Sequence, residues 1–220
     1  MKRLLLHAFV IASLGVCGTA FAGRDTWEPA GFRGDWHPVV GSGAVYQYSD
    51  GGKDSQEWKI AVVGQEAGGY WVENRMGSGR DETITKILVV QGTPKRAIMK
   101  AGKEPAIEMP LNMMGSSAPS TNLKQTATLI GKETISTPAG NFVCDHYQDD
   151  DRGNVVDVWV TPKVSPYGLV KMTSKGMNMV LSKVITGATS RITETPQRLD
   201  MPEGMPNLSD LMKSMGGADD

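Results

Sequence analysis

Cysteine is almost missing: the 220-residue chain has two, Cys17 and Cys144. Only Cys144 lies beyond the leader-like N-terminus described below, so no internal disulfide is possible there and the fold must rest on its core. Histidine is nearly as scarce, with three residues, His7, His37 and His146. A serine nucleophile needs a base and an orienting acid. Two histidines beyond the leader and no G-x-S-x-G motif leave that chemistry without its parts. Neither sign of charge dominates, with 23 basic and 24 acidic side chains. No basic stripe alternates with aromatics, which excludes a nucleic-acid surface of the usual kind. A convincing helical period is lacking between Gly23 and Leu199, and with it the strand–glycine loop–helix that cradles a nucleotide phosphate. These gaps point to a protein that is not an enzyme and needs no cofactor.

The longest apolar run, Leu4 to Val16, is too short to span a bilayer. Lys2 and Arg3 precede it and Ala20-Phe21-Ala22 follows, the pattern of an export signal cleaved after Ala22. Lipidation at Cys17 is the competing reading. Val16 stands against it, where a lipoprotein signal carries a small residue. Removal of residues 1–22 leaves 21 basic against 24 acidic side chains. The expected location is the periplasm or the cell surface, and the mature protein is not expected to span the membrane.

What is present is alternation. Ser136 to Met172 holds a turn at Thr137-Pro138-Ala139-Gly140, then Phe142 to Gln148 with Phe142, Cys144 and His146 on one face and Asp145 turned away. Asp149 to Asn154 reads as a hairpin loop, because three adjacent carboxylates repel and Gly153-Asn154 tolerate positive φ. Val155 to Thr161 follows, with Val156, Val158 and Val160 opposed to Val155, Asp157 and Trp159. Pro162 and Pro166 take the chain out of the sheet, and Tyr167 to Met172 re-enters it. Upstream, Ala44–Ser49, Ser55–Val63, Tyr70–Glu73, Thr83–Val90, Lys95–Lys100, Ala106–Leu111, Leu123–Lys132 and Glu133–Ser136 form a meander broken by Gly or Pro. Met177–Thr186 is its last long run. About ten short runs at this spacing predict an all-β sheet or barrel.

T-P-A-G-x-F, the H-Y pair, V-x-V-W-V and P-Y-G-L-V-K in this stretch resemble a signature of secreted bacterial domains of unknown function. Pro38 to Tyr46 resembles the start of the same kind of domain, and the likeness covers roughly residues 38–195. It implies a fold related to the outer-membrane lipoprotein carriers and receptors, curved antiparallel sheets that hold acyl chains. The expected architecture is therefore a mainly β domain, 44–200, made of a single antiparallel, strongly curved sheet forming a half or open barrel. An irregular lead-in, 23–43, precedes it, with Trp27, Phe32 and Trp36 placed to cover a sheet edge. A tail, 201–220, follows. In it Leu208, Leu211, Met212 and Met215 make an amphipathic stripe for a short C-terminal helix over Asn207–Met215.

Three clusters invite chemistry. Asp149-Asp150-Asp151 lacks the alternate spacing of a calcium loop and reads as a solvated tip. Cys144 and His146 share a strand face, but two ligands do not make a zinc site. The sequence therefore predicts no catalytic and no metal-binding residue. Methionine is the richer signal: twelve of the 13 lie beyond the leader. Flexible thioethers fill cores, line adaptable apolar pockets, or bind copper(I) as soft ligands. Irregular spacing without neighbouring histidine disfavours copper. Met109, Met113, Met114, Trp159, Met177, Met179 and Leu181 are the candidate lining of a concave face that takes a lipid or another apolar small molecule. The alternative is a structural or interaction protein with a filled core.

Overall fold

The computed structural model describes residues 36–49, 55–111, 127–151 and 154–198. Twelve strands form one sheet. β1 (Gly43–Ser49), β2 (Gln56–Glu66), β3 (Gly69–Met76), β4 (Thr83–Val90), β5 (Thr93–Ala101) and β6 (Ile107–Met109) run in order as an antiparallel meander. β7 (Thr128–Thr137), β8 (Gly140–Asp151), β9 (Asn154–Val160), β10 (Leu169–Ser174) and β11 (Met177–Ile185) form a second. The two meanders are joined where β1 pairs with β11, Tyr46 opposite Leu181. β12 (Gln197–Arg198) adds in parallel to β6, so β12 and β7 end the sheet and it does not close. The one helical element that lies wholly within the described residues is a single 3-10 turn, Gly79–Asp81.

The sheet curls because its strands are unequal. Extra residues enter the pairing at Val45/Tyr46, Val62/Gly64, Leu88/Val89, Leu129/Gly131 and Leu169/Lys171. Each such bulge bends its strand and increases the right-handed twist. The curl brings β7 back towards β10 and β11. Register places Ala44, Tyr46, Ile60, Val62, Val72, Ile87, Ala97, Met172, Met179 and Leu181 on one face, all buried in or beside one apolar core. The Tyr46 hydroxyl donates to the Leu169 carbonyl at 2.9 Å, which gives the buried ring a polar partner. Burial and the neighbouring Tyr167 push the Tyr46 hydroxyl's pKa far above its ordinary value.

The other face of β2–β5 is covered by the chain between β11 and β12, residues 186–196. Ile192 packs there into a second core with Trp71, Ile84, Leu88, Ile98 and Ala106. This strap lies in a stretch that sequence patterning left empty. It has no period, because a segment that crosses strands rather than joining them has no alternate face to present.

Two sequence expectations need correction. Asp149 to Asn154 is not a loop. β8 runs on through Asp151 and pairs Asp151 with Asn154, leaving two residues between the strands. Alternate strand residues point to opposite faces, so the carboxylates of Asp149 and Asp150 are carried apart and their repulsion does not stop the strand. Leu123–Lys132 and Glu133–Ser136 are not two runs either, since β7 is continuous from Thr128 to Thr137. The lead-in as far as residue 35, the tail helix over Asn207–Met215 and residues 112–126 lie outside the described residues.

Candidate functional site: the edge hairpin and its clamp

The last three strands at one end of the sheet, β7, β8 and β9, carry most of the resemblance signature and a cluster of polar side chains. The T-P-A-G turn joins β7 to β8 as expected: the Ala139 N–H donates to the Thr137 hydroxyl at 3.1 Å, and that hydroxyl donates to the Gly140 carbonyl at 3.1 Å. Gly140 takes φ +122, a conformation open to glycine. The tight turns fix two registers. His146 comes opposite Trp159, and Glu133 comes opposite Cys144, diagonal to His146.

The rings of His146 and Trp159 stack 4.4 Å apart. His146 Nδ1 lies 2.8 Å from the Glu133 carboxylate and Nε2 lies 2.8 Å from that of Asp157. The second Glu133 oxygen accepts the Trp159 indole N–H at 3.2 Å, and Asp157 also accepts from the Gln148 amide at 2.9 Å. The Lys171 ammonium lies over the Trp159 ring, 4.7 Å from its centre. One imidazole thus ties the edge strand β7 to β9 across β8.

This arrangement links three strands through their side chains. The two carboxylates lie at different ring nitrogens and cannot converge on one cation. Among the described residues no group of three His, Cys, Asp or Glu side chains is placed to hold a metal ion. Cys144 is buried on the same face. Burial first, then Asp145 and Glu133, push its thiol up to about 11, the opposite of what a nucleophilic cysteine needs.

Around the clamp the hairpin is unusually open. Leu129, Ile130, Val143 and Val155 are all exposed, four of the seven large exposed apolar side chains in the described residues. Lys132 pairs with Asp145 on the face away from the clamp.

The sequence-predicted apolar site is dispersed. Met179 and Leu181 are buried in the main core, and Met177 is half-buried beside it. Trp159 is buried, but register sets it opposite Lys171, on the face away from Met172 and Met179. Met109 is half-buried on β6, separated from β11 by β5, β4, β3, β2 and β1. Met113 and Met114 lie outside the described residues. Glu133, Asp157 and Lys171 escaped sequence reasoning. The two hairpin turns carry the signal that would find the carboxylates, but reading 149–154 as a six-residue loop hides the β8–β9 register.

Two hollows lie beside the strap. One of about 230 Å³ is lined by Lys59, Glu73, Arg75, Thr189 and Arg191 among others. Its charged walls are largely paired already: Lys59 with Glu57, Arg75 with Glu82, and Glu73 with the strap itself.

No protein-family model matches the chain, and no curated protein matches it significantly. Among solved structures it is similar to a candidate lipoprotein from Parabacteroides distasonis, at 14% identity and TM-score 0.37, over 69% of this chain and 98% of that one. A candidate exported protein with a YmcC-like fold from Bacteroides fragilis matches at 13% identity and TM-score 0.35, over 69% and 99%. MucB in complex with MucA(peri) matches at 13% identity and TM-score 0.41, over 75% of this chain and 59% of MucB, so the chain spans little more than half of MucB. No described helix is long and apolar enough to cross a membrane.

Proposed function

We propose that the protein is exported and acts in the cell envelope as a non-catalytic interaction protein, through its surface rather than through a ligand-filled interior. The observation that carries this reading is the packing of the core face: Tyr46, Met172, Met179 and Leu181 are at most 3% exposed, covered by other side chains of the chain itself. A lipid-type pocket would leave such side chains facing a void until the ligand arrives. The Lys2-Arg3, apolar run and Ala20-Phe21-Ala22 pattern supports export.

The test is a denaturant melt beside a fluorescent fatty-acid titration on the wild type and on Met177→Ala/Met179→Ala. A filled core predicts a loss of several kcal/mol, from lost burial and the cavity left behind, with no saturable probe binding in either protein. A small stability loss with saturable binding that weakens in the variant would establish the apolar-ligand reading instead. N-terminal sequencing of the exported protein tests the location: a start at Gly23 is expected, and an acylated Cys17 would make it a membrane-anchored lipoprotein.

A further inference from the structure

The two edges of the sheet are finished differently. At one, β6 has three residues, β12 pairs over it, and the strap ties that end down through the Gln197 N–H to the Ala106 carbonyl at 2.8 Å. At the other, β7 is ten residues long, holds no proline, and no described strand pairs with its outer side. Long open edges invite pairing with another chain, and proteins that stay single blunt them with charge, proline or cover. The two charges of β7 are turned onto their own hairpin instead. Lys132 is held by Asp145, and Glu133 by His146 and Trp159. Each has a partner of opposite charge, although Lys132 stays largely exposed.

We infer that β7 is a docking edge to which an extended segment of a partner protein adds as a thirteenth strand, the segment alternating apolar with basic residues. The inference rests on the surface-interaction reading above and names its site and partner chemistry. Strand addition draws affinity from main-chain hydrogen bonds and specificity from alternate side chains. Exposed Leu129 and Ile130 on β7 offer apolar contacts to such a strand, and exposed Val143 lies one strand further in on β8. Six acids between residues 128 and 160, Glu133, Asp145, Asp149, Asp150, Asp151 and Asp157, against Lys132 and Arg152 make this stretch acidic, which selects a basic partner. A second copy fits poorly. A two-fold pairing of β7 centred at mid-strand sets Lys132 against Lys132 or Glu133 against Glu133, and like charges directly opposite destabilise a ladder. The chain's own tail, 201–220, carries four acids and one lysine, the wrong sign for this edge.

The experiment uses the full mature chain and two ten-residue peptides, one alternating Val and Lys, the other Val and Glu. Binding is read by fluorescence anisotropy and located by amide hydrogen exchange. The Val/Lys peptide should bind, slow exchange in 128–136, and outbind the Val/Glu peptide at least tenfold. Leu129→Lys/Val143→Lys, which alters exposed side chains only, should weaken it at least tenfold with an unchanged melt. Four results would each overturn the inference: no binding, protection at the β6–β12 edge instead, unchanged affinity in the double variant, or the outward β7 amides, those not bonded to β8, already protected in the peptide-free protein. That last outcome would mean that the chain's own segments, or a second copy, cover the edge; sedimentation tells the two apart. Saturable fatty-acid binding would count against the broader reading, whatever the peptides do.

Discussion

The Glu73 carboxylate accepts the main-chain N–H of Arg191 at 3.0 Å, although 118 residues separate them in sequence. The same carboxylate accepts the Ser190 hydroxyl at 2.8 Å, and Glu73 is only 2% exposed. A buried carboxylate without donors would be costly. Here two donors from the strap supply the hydrogen bonds, and the strap gains its anchor on the outer face of β3. Ile192, next along, seals the small core over Trp71 and Ile98.

Glu73→Ala removes both acceptors and leaves the Arg191 N–H and the Ser190 hydroxyl to find water. Hydrogen bonds to a charged group contribute about 1.5–3 kcal/mol each, not additively. A loss of about 2–4 kcal/mol in urea unfolding is expected. Hydrogen exchange should speed up first in 189–193, before the main core responds. Unchanged exchange there would mean that Ile192 alone holds the strap.

The Cys144 thiol should be inert in the native protein. Its pKa rises from an ordinary 9.0 to about 11 because burial disfavours the thiolate. Folded-state pKa is thus above the unfolded value, so this contribution to stability is complete below about 9 and is lost as pH rises through about 11. Iodoacetamide at pH 8 should leave Cys144 unlabelled until denaturant is added, and urea midpoints should fall between pH 9 and 11. A Cys144→Ala control should flatten that part of the curve.

Strands were legible in the sequence wherever one face is buried and the other wet. Thr83–Val90 was bounded to the residue, and Met177–Ile185 to within one, because their periods of two are clean. The opposed facing of Val156, Val158 and Val160 against Trp159 was legible for the same reason. The clamp was not. Its carboxylates come from β7 and β9, and only register, set by two short turns, brings them to His146. The strap was invisible because its anchors, Glu73 and Ile192, look in sequence like an ordinary exposed acid and an isolated apolar residue.

Gly43 stands where β1 meets β2 and β11, Gly43 opposite Ala61 and Ile185. A Cβ there would lie 2.3 Å from the Ile60 carbonyl oxygen and 2.7 Å from Ala61 Cα and Cβ. Backbone and a short side chain cannot swing aside, so the junction of the two meanders must open slightly. Overpacking of this kind costs about 1–3 kcal/mol. Gly43→Ala should lower the urea midpoint by that amount, while Gly64→Ala, which meets nothing within 4 Å, should change it little. Equal effects would show that the junction is not tight.

Trp159 separates packing from the clamp, because two substitutions remove different parts of it. Trp159→Ala empties a buried site and takes away the face on which His146 stacks and over which Lys171 sits. About 3–5 kcal/mol should be lost, the usual range for removing a core aromatic. Trp159→Phe keeps an aromatic face but deletes the indole N–H that Glu133 accepts at 3.2 Å. That bond ties β7 to β9, so its loss should cost about 1–2 kcal/mol and should act locally, speeding hydrogen exchange in 128–137 more than in β10 or β11. Glu133→Gln provides the complementary cut. A double-mutant cycle between Trp159→Phe and Glu133→Gln should show coupling of about 0.5–1.5 kcal/mol. Zero coupling, with uniform exchange across the sheet, would reduce Trp159 to a packed ring and leave β7 held by its ladder to β8 alone.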